Sequence, residues 1–282
     1  MQNIIEFDKL NFVTAGMPLR TGKGSYPQAF EVLKEMNLDG MEIEFVHGVR
    51  MSEASRQFLN KASKENNLIL TAHGPFYINL NSKEEEKIEA SVQRIVETAV
   101  VANQAGAFSI TYHAAFYMGK DKEEVYNRVK KENERIFKIL DEEKINLWVR
   151  PETTGKATQW GDLDEVIRLS KDFERVLPCI DFSHLHARTN GEYNTYDEFS
   201  RVLEKIGEEI GQYALDNFHG HLAGIEYGEK GEKQHLVMLE SDMNYKDLLK
   251  AMKEFGVKGV LVCESPNIED DCKLFKDYYY SL

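Results

Sequence analysis

The chain has 282 residues, 42% of them hydrophobic and 29% charged, with a formal net charge of −13. That balance supplies an ample apolar core and excludes a disordered chain, and its acidity runs against a generally basic nucleic-acid-binding surface. No apolar run is long enough to span a bilayer, and the start MQNIIEFDKLNF lacks the basic-then-apolar order of a signal peptide, so the expectation is a soluble, cytoplasmic protein away from membranes.

Short β-rich runs alternate with longer amphipathic ones along the whole chain. Taken in order, the pattern predicts strand 11–16, helix 27–37, strand 40–46, helix 52–65, strand 67–73, helix 83–105, strand 107–113 and helix 121–143. It continues with strand 145–151, helix 162–171, strand 175–181, helix 196–213, strand 217–223, helix 244–255, strand 257–264 and helix 268–280. In 83–105, Ile88, Val92, Ile95, Val96, Ala99 and Ala102 fall on one helical face. Strict alternation of eight strands with eight helices points to a (β/α)8 TIM barrel, with a doubly wound open sheet as the alternative. No linker or internal repeat divides the chain, so residues 1–282 read as one domain. Three cysteines are too few for a disulfide framework, and Cys179 and Cys263 lie in apolar strand-like runs, as reduced core residues would. RTGKGSY, near residue 20, lacks phosphate-loop spacing and reads as a loop.

Several predicted strands end in residues that bind metals. They are His73 in LILTAHG, His113 in FSITYHA, Glu152 in NLWVRPE, Asp181 and His184 in LPCIDFSH, and Glu264 in GVLVCES. NFHGHLAG adds His219 and His221. In a parallel barrel the downstream strand ends meet on one face, where active sites are built. Imidazole nitrogen and carboxylate oxygen suit Zn²⁺, Mn²⁺ and Fe²⁺, and paired cations activate water for phosphoryl or amide chemistry. His47, His186 and His219 read as hydrogen-bonded core or surface residues. His221, followed by the small residues Ala223 and Gly224, is the better ligand of the HGH pair.

Together these segments resemble the endonuclease IV family of apurinic/apyrimidinic (AP) endonucleases, within the xylose isomerase-like TIM barrels. HGPFYINL (73–80), TYHAA (111–115), PETTG (151–155), CIDFSH (179–184), HLAG (221–224) and CES (263–265) carry the resemblance over nearly the whole chain. It implies three zinc ions. His73, His113 and Glu152 would hold the first. Glu152 would bridge to a second, held also by Asp181, His221 and Glu264. His184 and His235 would hold the third, which in the family also uses an Asp two residues before the last His. Lys233 stands there, with Glu232 beside it.

The resemblance further implies a monomer that acts on double-stranded DNA containing abasic sites. The cations would activate water for attack on the phosphorus 5′ to the lesion, with Glu152 orienting it. Phe76 and Tyr77 align with the residues that wedge into the distorted duplex, and Arg50 with an Arg inserted beside them. Two rival readings use the same barrel. A sugar isomerase or epimerase with one cation needs only Glu152, Asp181, His221 and Glu264, and suits the acidity better. A non-cleaving barrel that binds damaged DNA or a partner protein is motivated by Lys233.

Overall fold

Apolar β-branched runs that are buried on both faces pair best in parallel, with helices covering them. The computed structural model, which describes residues 4–282, shows that arrangement. In chain order its elements are β1 (Leu10–Ala15), α1 (Tyr26–Glu35), β2 (Gly40–Glu44), α2 (Glu53–Asn66), β3 (Ile69–His73), α3 (Glu85–Ala105), β4 (Ser109–Tyr112) and β5 (Ala115–Phe116). Next come α4 (Lys122–Glu142), β6 (Trp148–Pro151), β7 (Gln159–Trp160), α5 (Leu163–Asp172), β8 (Ile180–Asp181), α6 (Phe182–Arg188), α7 (Tyr196–Glu209) and α8 (Gln212–Asp216). The chain ends with β9 (Phe218–Leu222), β10 (Gly224–Gly228), β11 (Gly231–Leu236), α9 (Tyr245–Glu254), β12 (Gly259–Cys263) and α10 (Glu269–Ser281).

Eight strands form one sheet in the order β6-β4-β3-β2-β1-β12-β9-β8. A parallel bridge between Val149 and Val176 links β6 to the segment running into β8. This is a TIM barrel, as the alternation in the sequence predicts. Among the described residues, no helix is long and apolar enough to cross a membrane.

The chain divides into two compact units. The first comprises Ile43–Thr154 and Thr158–Pro178, with Ile4. In it α3 buries the predicted face, Ile88, Val92, Ile95, Val96, Ala99 and Ala102, and α4 buries Val125, Val129, Ile136 and Leu140. Both α4 and α5 start on an Asp cap: Asp121 accepts from the Glu123 and Glu124 amides, and Asp162 accepts from Glu165. The second unit comprises Ile5–Glu42, Gly155–Ala157 and Cys179–Leu282. Here β12 runs between β1 and β9, with Leu261 opposite both Phe12 and Gly220. Cys179, Cys263 and Cys272 are buried free thiols, and burial pushes the Cys263 thiol up, as befits an inert core residue.

Several local features differ from the sequence expectation. The helix predicted over 196–213 is two helices, because Gly211 adopts φ +121°, outside helical space, and separates α7 from α8. The residues leaving the sixth barrel strand form α6, which begins when Asp181 accepts the His184 amide at 2.7 Å. Six of its seven residues are buried, so no amphipathic period marks it. The stretch after β9 folds into the antiparallel β10–β11 hairpin.

Gly259 has φ +126°, and a Cβ there would stand 2.1 Å from the Phe218 carbonyl oxygen. Gly259→Ala is therefore expected to cost at least roughly 1–3 kcal/mol in backbone strain alone. The urea midpoint should fall with an unchanged m value, the mark of lost stability without altered compactness.

Candidate metal centre

In the first unit, β3, β4 and β6 end beside one another and deliver three of the predicted ligands. Glu152, immediately after β6, is fully buried. Its Oε2 lies 3.0 Å from His73 Nε2 and its Oε1 lies 3.0 Å from His113 Nε2. Thr111 Oγ1 donates to Oε2 at 3.4 Å. His73 Nδ1 donates to the Gly74 carbonyl at 2.7 Å. In the neutral ring that leaves the Nε2 lone pair directed at a carboxylate, a repulsive pairing unless a proton or a cation lies between them. One nitrogen tied to a carbonyl and the other facing a carboxylate is how a metal-binding histidine is oriented.

In the second unit, Asp181, His221 and Glu264 each offer an atom within 4.8 Å of the others, and so do Asp181, His184 and His235. His221 Nδ1 is 3.3 Å from Glu264 Oε1. Asp181 Oδ2 lies 3.1 Å from His184 Nδ1. Two ligands at ordinary Zn–N and Zn–O distances on a tetrahedral ion stand about 3.3–3.5 Å apart. The separations in both units are close to that figure, and the donors are nitrogen and carboxylate oxygen, so these residues fit a divalent cation of the zinc class.

The sequence reading missed Glu42. It is fully buried in β2, its Oε2 3.1 Å from His219 Nε2 and its Oε1 3.0 Å from His221 Nε2. Burial alone would raise this carboxyl, yet the charge and hydrogen bonds of His221 and His219 hold it well below the usual carboxylate range. Both imidazoles turn Nε2 toward this carboxylate. His221 turns its Nδ1 toward Glu264, and His219 is a core residue facing the same carboxylate. The available signal was an acid in mid-strand, in GMEIE, where burial demands a partner. His186, also buried, pairs with the Glu192 carbonyl at 2.7 Å and with Asp242 at 3.2 Å.

The three predicted DNA-contacting residues all belong to the first unit. Phe76 and Tyr77 follow β3 with 64% and 59% of their surface exposed. Arg94 lies 6.0 Å from the Tyr77 ring centroid. Arg50 is exposed in the loop between β2 and α2. Exposed adjacent aromatics need an explanation outside core packing.

The family described as xylose isomerase-like TIM barrel matches residues 30–278. The chain belongs to this family. An uncharacterized protein of Methanocaldococcus jannaschii is 44% identical over 97% of this chain and 98% of its own length. A probable endonuclease 4 of a Sulfurihydrogenibium species is 24% identical over 56% of this chain, a match spanning 57% of that relative. Among solved structures, a D-tagatose 3-epimerase-like protein superposes with TM-score 0.73 at 19% identity, covering 95% of this chain and 97% of its own. Endonuclease IV from Thermus thermophilus superposes with TM-score 0.71 at 16% identity, covering 97% of this chain and 100% of its own. Both likenesses are of fold, and this xylose isomerase-like barrel is similar to nuclease and epimerase alike.

Glu42→Gln removes the charge that faces both imidazoles. It is expected to weaken Zn²⁺ binding by ~10–100-fold with an unchanged circular dichroism spectrum. Calorimetric titration of chelator-stripped protein measures this, and equal affinity in the two proteins would refute the role given to Glu42.

Proposed function

We propose that this chain is a metal-dependent AP endonuclease of the endonuclease IV type, hydrolysing the phosphodiester 5′ to abasic sites in double-stranded DNA. The observation that carries the reading is the number of imidazoles gathered with carboxylates. His73 and His113 flank Glu152, and His184 and His235 lie together beside Asp181. A barrel that enolises a sugar with one cation has no need of those four rings.

Bound divalent cations would supply Lewis acidity toward phosphate oxygens and a lowered water pKa. The side chains' part is to hold and orient. Glu152, fixed by Thr111 and two imidazoles, is the central carboxylate of the first group and our candidate for orienting the attacking water. His221, aligned by Glu42, and Glu264 hold the second group. No side chain need act as nucleophile. Phe76 and Tyr77 are free to insert where a base is missing, and there extrusion of the sugar costs least. Arg50 supplies a cation to the backbone beside them. The net charge of −13 is a global sum, and bound cations reverse the local sign at the site.

That acidity specifically favours a second reading, a sugar isomerase or epimerase working with one cation. There, paired carboxylates would move a proton next to a carbonyl. Metal analysis of the purified chain separates the two, since one tightly bound ion per chain favours the sugar enzyme and two or three favour the nuclease.

The activity test is incision of a duplex carrying one tetrahydrofuran site, with added Zn²⁺ or Mn²⁺. Glu152→Gln should abolish nicking and leave the fold intact, and undiminished nicking would remove Glu152 from the chemistry. Phe76→Ala with Tyr77→Ala should weaken binding to abasic duplex about 10–100-fold, the scale of one or two lost stacking contacts, with metal content unchanged. Equal affinity in a gel-shift assay would end the wedge assignment.

A further inference from the structure

We propose that Asp242 and Tyr227 are positioning residues, latching the β10–β11 hairpin that carries His235 to the helix α6 that carries His184. The inference deepens the function proposed above and rests on it for the use of those two histidines. The latch itself lies within the second unit.

Helix α6 presents two histidines two residues apart. At 3.6 residues per turn they point about 200° apart, so the helix cannot aim both at one site. His184 lies with Asp181 and His235. His186 is fully buried, with Nδ1 2.7 Å from the Glu192 carbonyl and Nε2 3.2 Å from Asp242 Oδ1. The other oxygen of Asp242 accepts from the Tyr227 hydroxyl at 2.7 Å. The rings of Tyr227 and His186 meet edge to face, with centroids 4.8 Å apart. One carboxylate therefore joins α6 to β10.

An exposed ion pair contributes little by itself. This contact differs because its imidazole is buried and its carboxylate is held in place. Asn194 Nδ2 donates to the Asp242 carbonyl at 2.8 Å, and the Asn244 amide donates to Asn194 Oδ1 at 2.6 Å. Ser241 Oγ, one residue before Asp242, accepts from the Ile225 amide at 3.0 Å, and Ile225 is opposite His235 in the hairpin. The Asp242 carboxylate pushes the Tyr227 phenol up to about 12, so the hydroxyl keeps the proton it donates. A Cβ on Gly191 would stand 3.2 Å from Tyr227 Oη, so the loop after α6 leaves the room that the hydroxyl uses. The support falls where the hairpin needs it. The β10–β11 register shifts between Glu226 and Tyr227, and such an irregularity interrupts the ladder that would otherwise hold the two strands.

The test uses the full chain, stripped by chelator, in hydrogen exchange followed by mass spectrometry and then in titration with Zn²⁺ alone. Tyr227→Phe keeps the ring and removes the hydroxyl. Amide exchange over 224–236 should quicken roughly 10–100-fold, the scale of one lost hydrogen bond to a charged group, with α9 and α10 unchanged. Asp242→Ala should quicken it at least as much, and the double variant no further, because both changes remove one shared contact. Positioning makes a second demand. One Zn²⁺-binding step should weaken at least ~10-fold in Tyr227→Phe, and in a His235→Ala background the same change should leave Zn²⁺ binding unaltered. Unaltered exchange in Tyr227→Phe overturns the proposal. So does faster exchange with wild-type Zn²⁺ binding, or an equal loss of binding in the His235→Ala background, since either marks a merely structural contact. A chain that meets every expectation yet nicks no abasic duplex rejects the nuclease reading and leaves the latch standing.

Discussion

A buried carboxylate set against imidazole nitrogens is the interaction on which the rest of this structure depends. Among the described residues it joins Glu152 with His73 and His113, Glu42 with His219 and His221, and Asp181 with His184. An uncompensated carboxylate in a protein interior is strongly unfavourable, so each must be matched by N–H donors or a cation. Around Glu42 the match is internal, because both rings turn Nε2 toward it. Around Glu152, His73 has already committed its Nδ1 proton to a backbone carbonyl, and the partner we propose is a metal ion. In the proposed function the two carboxylates divide the work, one orienting a ligand and one serving as a ligand.

The fold makes this possible by ending strands at a common level. Parallel strands place their last residues side by side, and the helices that follow carry the chain away. Close approaches without side chains adjust the fit. Gly259 lets β12 lie against Phe218, and Gly155 leaves the volume that the Glu232 carboxylate occupies. The hairpin after β9 is the least regular part of the second unit. Its bulge is a local departure that pairs Lys233 with Glu226 and leaves Glu232 Oε2 3.7 Å from His184 Nε2.

Much of this was legible beforehand. All eight barrel strands and most of the helices lie where apolar periodicity placed them, because burial on one face or on both leaves a clear mark on composition. Helix α6 was not legible, because nearly all of it is buried and no polar face reveals its period. The break at Gly211 was missed because glycine is tolerated within helical patterns and only the backbone angle shows where it ends a helix. Among candidate site residues, those at strand ends were readable because a His or Glu directly after an apolar run is conspicuous. Glu42 was not, since a single acid inside a strand does not name its partner, and His219 and His221 lie far from it along the chain.

The sequence by itself determined the alternation of strands and helices, the family resemblance and the residue types at the strand ends. These are local properties, written in hydrophobic period and short motifs. Only the tertiary structure decided which nitrogen of each imidazole faces a carboxylate, that Glu42 aligns His221, and that Glu232 rather than Lys233 turns toward His184. Those outcomes depend on contacts between distant segments and on the register of one hairpin. A single inserted residue inverts every side chain beyond it, and no local pattern records that inversion.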